Sequence, residues 1–244
     1  MTETDLPPGG APFDAAWFDT SVQSRRAALW RGVEAQHLVS TMRLVDSAAD
    51  QQVLEQLIKG SRLPLPAGAE GQHDLLAMPF RLSPPHESRF RRAATPGLWY
   101  GAETLRMACA EVGYWRWRFL RDSQAFDGDA ALHTQHTFYK AQVAGSAIDL
   151  TKPPWNASAA LWRHPSRYDA CQRLATAAAE HAVAWIRYAS AREPRGFCGA
   201  VLTPAALALK PGFAQQTWAC KTTHDSVWLR HHDDAFSFDA ADWA

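Results

Sequence analysis

Glycine-rich phosphate loops are missing from this chain. None of its 14 glycines builds a G-x-G-x-x-G or G-x-x-x-x-G-K pattern, which disfavours the Rossmann and P-loop nucleotide folds. Cysteine is scarce as well: Cys109, Cys171, Cys198 and Cys220 are scattered, with no C-x-x-C pair, and a zinc site is not expected. No apolar run approaches the length of a membrane span. The opening TETDLPPGGAPFD is polar and proline-rich, unlike an export signal, so the thiols read as reduced and the protein as cytoplasmic. Excess charge of one sign is absent too, since 25 basic residues meet 25 acidic ones. A nucleic-acid backbone calls for a concentrated basic face. The short cluster Arg89, Arg91, Arg92 can hold one or two phosphates but not a duplex.

What the chain does have is aromatic bulk. Of its 244 residues, 47% are hydrophobic and 11 are tryptophans, enough for one sizeable core and for flat-walled ligand pockets. Residues 1–13, rich in proline, glycine and acids, are expected to be a disordered lead. Residues 14–59 read as helical. Trp17, Phe18, Val22, Leu29, Trp30 and Val33 recur at helix-like spacing, as do Val53, Leu54, Leu57 and Ile58. Asp46 or Ser47 would cap the second segment and Gly60 would stop it. With the linker SRLPLPAGAEG this predicts an N-terminal helical extension over 14–72. Its apolar stripes would be buried in a homodimer or over a cleft.

The body is expected over 73–244. LLAMPFRL reads as a short strand closed by Pro84 and Pro85, and GLWYG as another. Residues 102–120 read as a helix with Leu105, Ala108, Cys109, Val112, Trp115 and Phe119 on its buried stripe. Residues 134–144 alternate like a strand, with SAIDL as a neighbouring one. SRYDACQRLATAAAEHA is a second amphipathic helix, and WIRYAS, GAVLTP and SVWLRH are strand candidates. Strands mixed irregularly with helices predict an α+β body.

Few residues here have the makings of chemistry. Glu111 lies at the flank of an apolar helical stripe, where a carboxylate is partly desolvated and calls for a cation or donor. The bland alternative is a surface glutamate paired with Arg106 or Arg118. Arg89 alone fits a solvated charge, Tyr100 alone a core ring, and Ser190 alone a capping serine. His133 and His136 suggest a metal only weakly, because residues three apart on a strand face opposite ways. His231 and His232 sit beside aspartates in what reads as a frayed, solvated tail.

Order and spacing tie these residues together. The run Ser88-Arg89-Phe90 is followed by G-L-W-Y-G-A-E-T with Tyr100, then by A-C-A-E-V with Glu111. Later comes R-Y-A-S-A-R, Arg187 to Arg192, with Ser190. This ordered set resembles the RES-domain family over roughly residues 75–230, and the arm resembles the helical extension of a subgroup. Arg91 and Arg92 offer alternative registers for the family arginine.

The resemblance implies an ADP-ribosyltransferase-like core of two small sheets flanked by helices. It also implies NAD as a substrate rather than a cofactor, with cleavage of its nicotinamide–ribose bond. Water or inorganic phosphate would be the acceptor; the alternatives are a protein acceptor in an ADP-ribosyl transfer, or a non-catalytic module that binds a nucleotide or an antitoxin. A cognate antitoxin would be the partner. In that setting Glu111 would stabilise the ribosyl cation, Arg89 would hold the pyrophosphate, Tyr100 would stack on a ring, and Ser190 would orient the nicotinamide ribose or amide. Arg81 would be a second phosphate ligand.

Overall fold

The computed structural model describes residues 12–35, 47–60, 63–123, 130–193 and 196–243. Most of the expected disordered lead and residues 36–46 of the expected arm, Asp46 among them, lie outside these. At the edge of the lead, Phe13 is already packed, its ring 5.9 Å from both Phe18 and Trp155.

The expected helical arm is corrected in its first half. After a short helix α1 (Ala16–Ser21), Gln23–Glu34 is a 12-residue strand, β1. It pairs residue for residue with β3 (Leu132–Asp149), from Gln23↔Ala147 to Glu34↔His136. That continuous ladder outweighs the helix-like spacing of Leu29, Trp30 and Val33, as tertiary pairing routinely overrides local propensity. The second half follows expectation. Helix α2 (Ala48–Gly60) starts at Ser47, whose Oγ accepts from the Asp50 amide at 3.1 Å.

LLAMPFRL also departs from expectation. It forms a short helix α3 (Asp74–Ala77) and a 3₁₀ turn over Met78–Arg81. The His73 ring accepts from the Leu75 amide and so caps the turn, while Pro79 has no N–H to give a ladder. Residues 134–144 and SAIDL prove to be one strand, β3, carried past Gly145 at φ 143°, a conformation side chains rarely allow. The other predicted elements stand near their expected places. They are β2 (Trp99–Ala102), α4 (Leu105–Asp122), α6 (Asp169–Glu180), β4 (Trp185–Ala189), β5 (Phe197–Val201) and β8 (Ser226–His231). Between β3 and α6 lies the short helix α5 (Ala159–Trp162). Strands β6 (Leu207–Ala208), β7 (Gln215–Thr222) and β9 (Asp234–Asp239) complete the set.

Long strand β3 organises all of this. One edge carries β1 along its length; the other pairs with β7, then β6, then β4. Since β1 also touches β2, the order β1-β2-β5-β4-β3 closes on itself, and β7-β8-β9 extends away from it. The α+β class with flanking helices holds, but the two expected small sheets are joined through β3 into one nine-stranded sheet.

Alternation along the strands then divides the core. Leu29, Trp99, Tyr139, Val143, Trp185 and Val201 fill the inside of the ring. Phe138, Ile148, Ile186, Tyr188, Cys198 and Ala200 face outward beneath α4 and α6. The frayed tail is also corrected: β9 pairs with β8 over six residues, and Trp243 is buried against Tyr114, Trp117 and Phe238. His231 stacks on Trp218 rather than standing in solvent. No described helix is long and apolar enough to cross a membrane.

Candidate functional site

The outward face of the ring is the floor of a trough of about 300 Å³. Its floor crosses the strands in spatial order, from Tyr188 and Cys198 through Tyr100 and Ala102 to Trp30, Glu34 and His136. Helix α4 is one wall, contributing Ala108, Glu111, Val112, Trp115 and Arg116 from successive turns. Ser88, Arg89, Tyr168 and Arg192 line it as well. The expected buried stripe of α4 is rotated to suit. Tyr114, Trp117 and Leu120 are buried, whereas Trp115 is 39% and Phe119 51% exposed.

Glu111 faces into this trough, half-buried, and not out to solvent with an arginine partner. Arg106 pairs with Glu193 and Arg118 with Asp122, which disposes of the bland alternative. Ser190 Oγ lies 3.0 Å from Glu111 Oε1, and the Cys198 thiol lies 3.8 Å from the same oxygen. Burial, with Glu111 adding to it, raises the Cys198 thiol well above its ordinary pKa, so it stays a neutral donor. Both of these contacts fall on the one oxygen, Oε1.

Ser190 itself is 2% exposed, and its hydroxyl also accepts the amides of Arg192 at 3.1 Å and Glu193 at 3.2 Å. One donated and two accepted bonds use the full capacity of a hydroxyl. Through these bonds Ser190 ties Glu111 to the turn that follows β4. Behind it the Trp243 indole donates to the Arg192 carbonyl at 3.2 Å, so the chain's last buried side chain steadies the serine turn.

Arg89 sits at the tip of a tight turn, Ser88 and Arg91 bridging each other through both backbone bonds. Its Nη1 donates to the carbonyls of Trp162 and His164, and the guanidinium lies 5.2 Å over the Tyr168 ring. Burial opposes its charge, but Cys171, Tyr188, Tyr168 and Glu111 outweigh that, and the pKa is raised. Tyr100 pins the same turn, its hydroxyl 2.9 Å from Ser88 Oγ and accepting from the Phe90 amide. Burial raises that phenol above its ordinary range.

The three arginines differ in what each one touches. Arg91 points away and donates to the carbonyls of Pro84, His86, Arg92 and Thr95, stapling the loop. Arg92 is exposed, and Arg89 alone of the three lines the trough. Arg81 does not join them. It ends the 3₁₀ turn, and its Nε donates to the Leu63 carbonyl. His133 and His136 do face opposite ways, and no described cluster of His, Cys, Asp or Glu could hold a metal.

Several residues escaped the sequence. Arg31 donates to the Tyr100 carbonyl and lies over Trp99, holding the strand that bears the tyrosine. It was hidden in a segment read as helix. Gln172 is 6% exposed, and its amide reaches Glu87 at 2.8 Å and the carbonyls of Ser88 and Arg91 at 3.2 and 3.3 Å. A glutamine between Cys171 and Leu174 on an apolar helix was the available signal. Tyr168, Tyr188 and Arg192 complete the lining.

Residues 62–223, more than half of the chain, match a family model described as RES domain. Comparison with curated protein sequences gives no match. Among solved structures, the chain is similar to one described as the crystal structure of the M.tuberculosis MbcT-MbcA toxin-antitoxin complex. That similarity has a TM-score of 0.44 and 13% sequence identity, over 94% of this chain and 93% of that one.

Proposed function

The chain belongs to the RES-domain family, and from that premise we propose that it is an NAD-consuming enzyme that breaks the bond between nicotinamide and ribose. The observation that carries this is Glu111: a carboxylate lining the trough, held through one oxygen by Ser190 and Cys198.

Breaking the C1′–N1 bond sends its electron pair to nicotinamide, which leaves as a neutral molecule and needs no protonation. Positive charge develops on the ribosyl carbon, as in other oxocarbenium-like transfers. Glu111 lowers that barrier in two ways. Its fixed negative charge grows in value as the sugar becomes cationic, and its free oxygen accepts from a ribose hydroxyl. Arg89, raised in pKa and held at a rigid tip, binds the pyrophosphate, a role in which a planar guanidinium outperforms an ammonium. Tyr100 and Tyr188 wall the reacting end and exclude bulk water. Water or inorganic phosphate then adds at the ribosyl carbon and gives up a proton, yielding ADP-ribose or its 1-phosphate.

The protein acts as a toxin-like NAD depleter, restrained by a cognate antitoxin. A small helix-turn-helix-like gene found beside this one would support that setting. Mass spectrometry of the purified protein with NAD, with and without phosphate and cell lysate, tests the reading. Free nicotinamide with ADP-ribose or its phosphate is expected, while a modified lysate protein would move the activity to protein ADP-ribosylation. Intact NAD under all conditions overturns the proposal.

A further inference from the structure

A second cavity, open to solvent and about 390 Å³ in volume, lies beside the serine turn. Arg163 reaches it from the C-terminal end of α5, Pro165 from the loop that follows, Arg192 from the turn after β4, and Asp242 with Trp243 from the end of the chain. Arg192 lines the trough too, so one side chain is a wall common to both cavities. It is 6% exposed, and its guanidinium lies 3.3 Å over the Tyr114 ring. Its side-chain hydrogen bonds to described residues both come from Nη2, to the Pro165 carbonyl at 2.7 Å and the Tyr168 hydroxyl at 3.5 Å. A guanidinium has five N–H groups, and burying a cation with donors to spare is costly unless an anion meets it. Arg163 and Asp242 are exposed in this same cavity, yet neither forms an ion pair with a described residue. Opposite charges that share a cavity without touching leave room for a ligand that meets both.

We propose that this second cavity binds inorganic phosphate and presents it, across Arg192, to the reacting end of the trough as the acceptor. The assignment rests on the NAD-cleavage reading and adds which acceptor is used and where it is held.

Charge is the first argument. Two guanidiniums against one carboxylate favour a small anion, and their planar forks suit phosphate oxygens. Asp242 narrows the choice. Near neutral pH inorganic phosphate keeps at least one proton to donate to a carboxylate, whereas sulfate keeps none and meets only repulsion there. Place is the second argument. Tyr114, on which Arg192 rests, stands three residues along α4 from Glu111, a rise of about 4.5 Å. The Arg192 amide also donates to the Ser190 hydroxyl that bonds Glu111. The shared wall therefore stands by the ribosyl carbon that Glu111 stabilises. In the step itself the C1′–N1 electron pair leaves with nicotinamide, and a lone pair of an unprotonated phosphate oxygen forms the new C1′–O bond. One negative charge of the phosphate cancels the positive charge of the pyridinium, so no proton has to move. The product is ADP-ribose 1-phosphate.

Mass spectrometry of the products formed from NAD at graded phosphate, for the full chain, Arg163→Gln and Asp242→Asn, decides the matter. In the parent, formation of ADP-ribose 1-phosphate should saturate with phosphate. Arg163→Gln should raise the half-saturating phosphate roughly three- to tenfold, the effect of one partly screened guanidinium. Sulfate should compete poorly in the parent and at least threefold better in Asp242→Asn; unaltered competition refutes Asp242 as the acceptor of the phosphate proton. No 1-phosphate from a parent that cleaves NAD, or a half-saturation that Arg163→Gln leaves unmoved, overturns the site. Should the folded parent leave NAD intact, the cleavage reading is what fails. Phosphorus NMR titration with inorganic phosphate then judges the cavity alone: binding weakened at least threefold by Arg163→Gln sustains it, and absent or unchanged binding rejects it.

Discussion

Replacing Gln172 with leucine keeps the side-chain volume but removes the amide that holds the Arg89 turn. The amide donates to one carboxylate and two carbonyls, all within 3.3 Å. A net hydrogen bond contributes about 0.5–1.5 kcal/mol, and one to a charged group about 1.5–3 kcal/mol. The Arg91 carbonyl keeps its bond from the Ser88 amide and Glu87 is exposed enough to be solvated, so neither is wholly orphaned. Leucine also recovers about 1 kcal/mol of apolar burial. The balance is a loss of about 2–3 kcal/mol in urea unfolding. The larger consequence is on binding: a loosened turn lets the Arg89 guanidinium wander, so KM for NAD should rise about tenfold while kcat changes less. Gln172→Glu, which cannot donate and brings a second carboxylate to Glu87, should be worse than leucine. In an Arg89→Lys background the KM effect of Gln172→Leu should largely vanish, because the group it positions is already gone. If the KM effects of the two substitutions simply multiply, Gln172 is a structural residue and nothing more.

Two further expectations follow from buried charge. Asp149 is 5% exposed and joins Arg25 at 3.0 Å to Arg187 at 3.2 Å, so Asp149→Ala strands Arg187 beside Glu103 alone. Thermal or urea unfolding should show a loss of about 3–5 kcal/mol, and a loss under 1 kcal/mol would contradict the ion network. Burial first, and Arg116 second, lower the His136 pKa from 6.5 to about 4. The unfolded chain therefore binds more protons in this window. Stability that is complete above pH 6.5 should drain away as the pH falls toward 4, by about 3 kcal/mol in total. His136→Gln should flatten that slope in a pH series of urea melts, and an unchanged slope would place the acid sensitivity elsewhere.

Local signals in the sequence were good where one force dominated. Helix α4 has a threonine cap and a long apolar face, and β2, β4 and β8 are compact apolar runs, so each reads correctly from its own residues. Arg89, Tyr100, Glu111 and Ser190 were singled out through their order along the chain; the first three line the trough, and Ser190 is bonded to Glu111. What the sequence hid depended on partners far away. β1 is a strand because β3 offers twelve register positions, not because its own spacing says so. Trp115, expected on the buried stripe, is left 39% exposed because the sheet meets α4 on a face rotated from the most apolar stripe. The two backbone donors that meet the Ser190 hydroxyl come from its own turn, which its sequence setting did not reveal. Arg81 lay near the motif in sequence, yet its carbonyl partner draws it away from the trough.

Nicotinamide release by purified Glu111→Gln, followed at saturating NAD beside the parent, bears most directly on the chemistry placed in this trough. Glutamine keeps the shape and can still meet Ser190, but it lacks the charge that steadies a ribosyl cation. A fall of roughly a hundred- to a thousandfold with unchanged unfolding is the expected result; release at the parental rate would contradict the account.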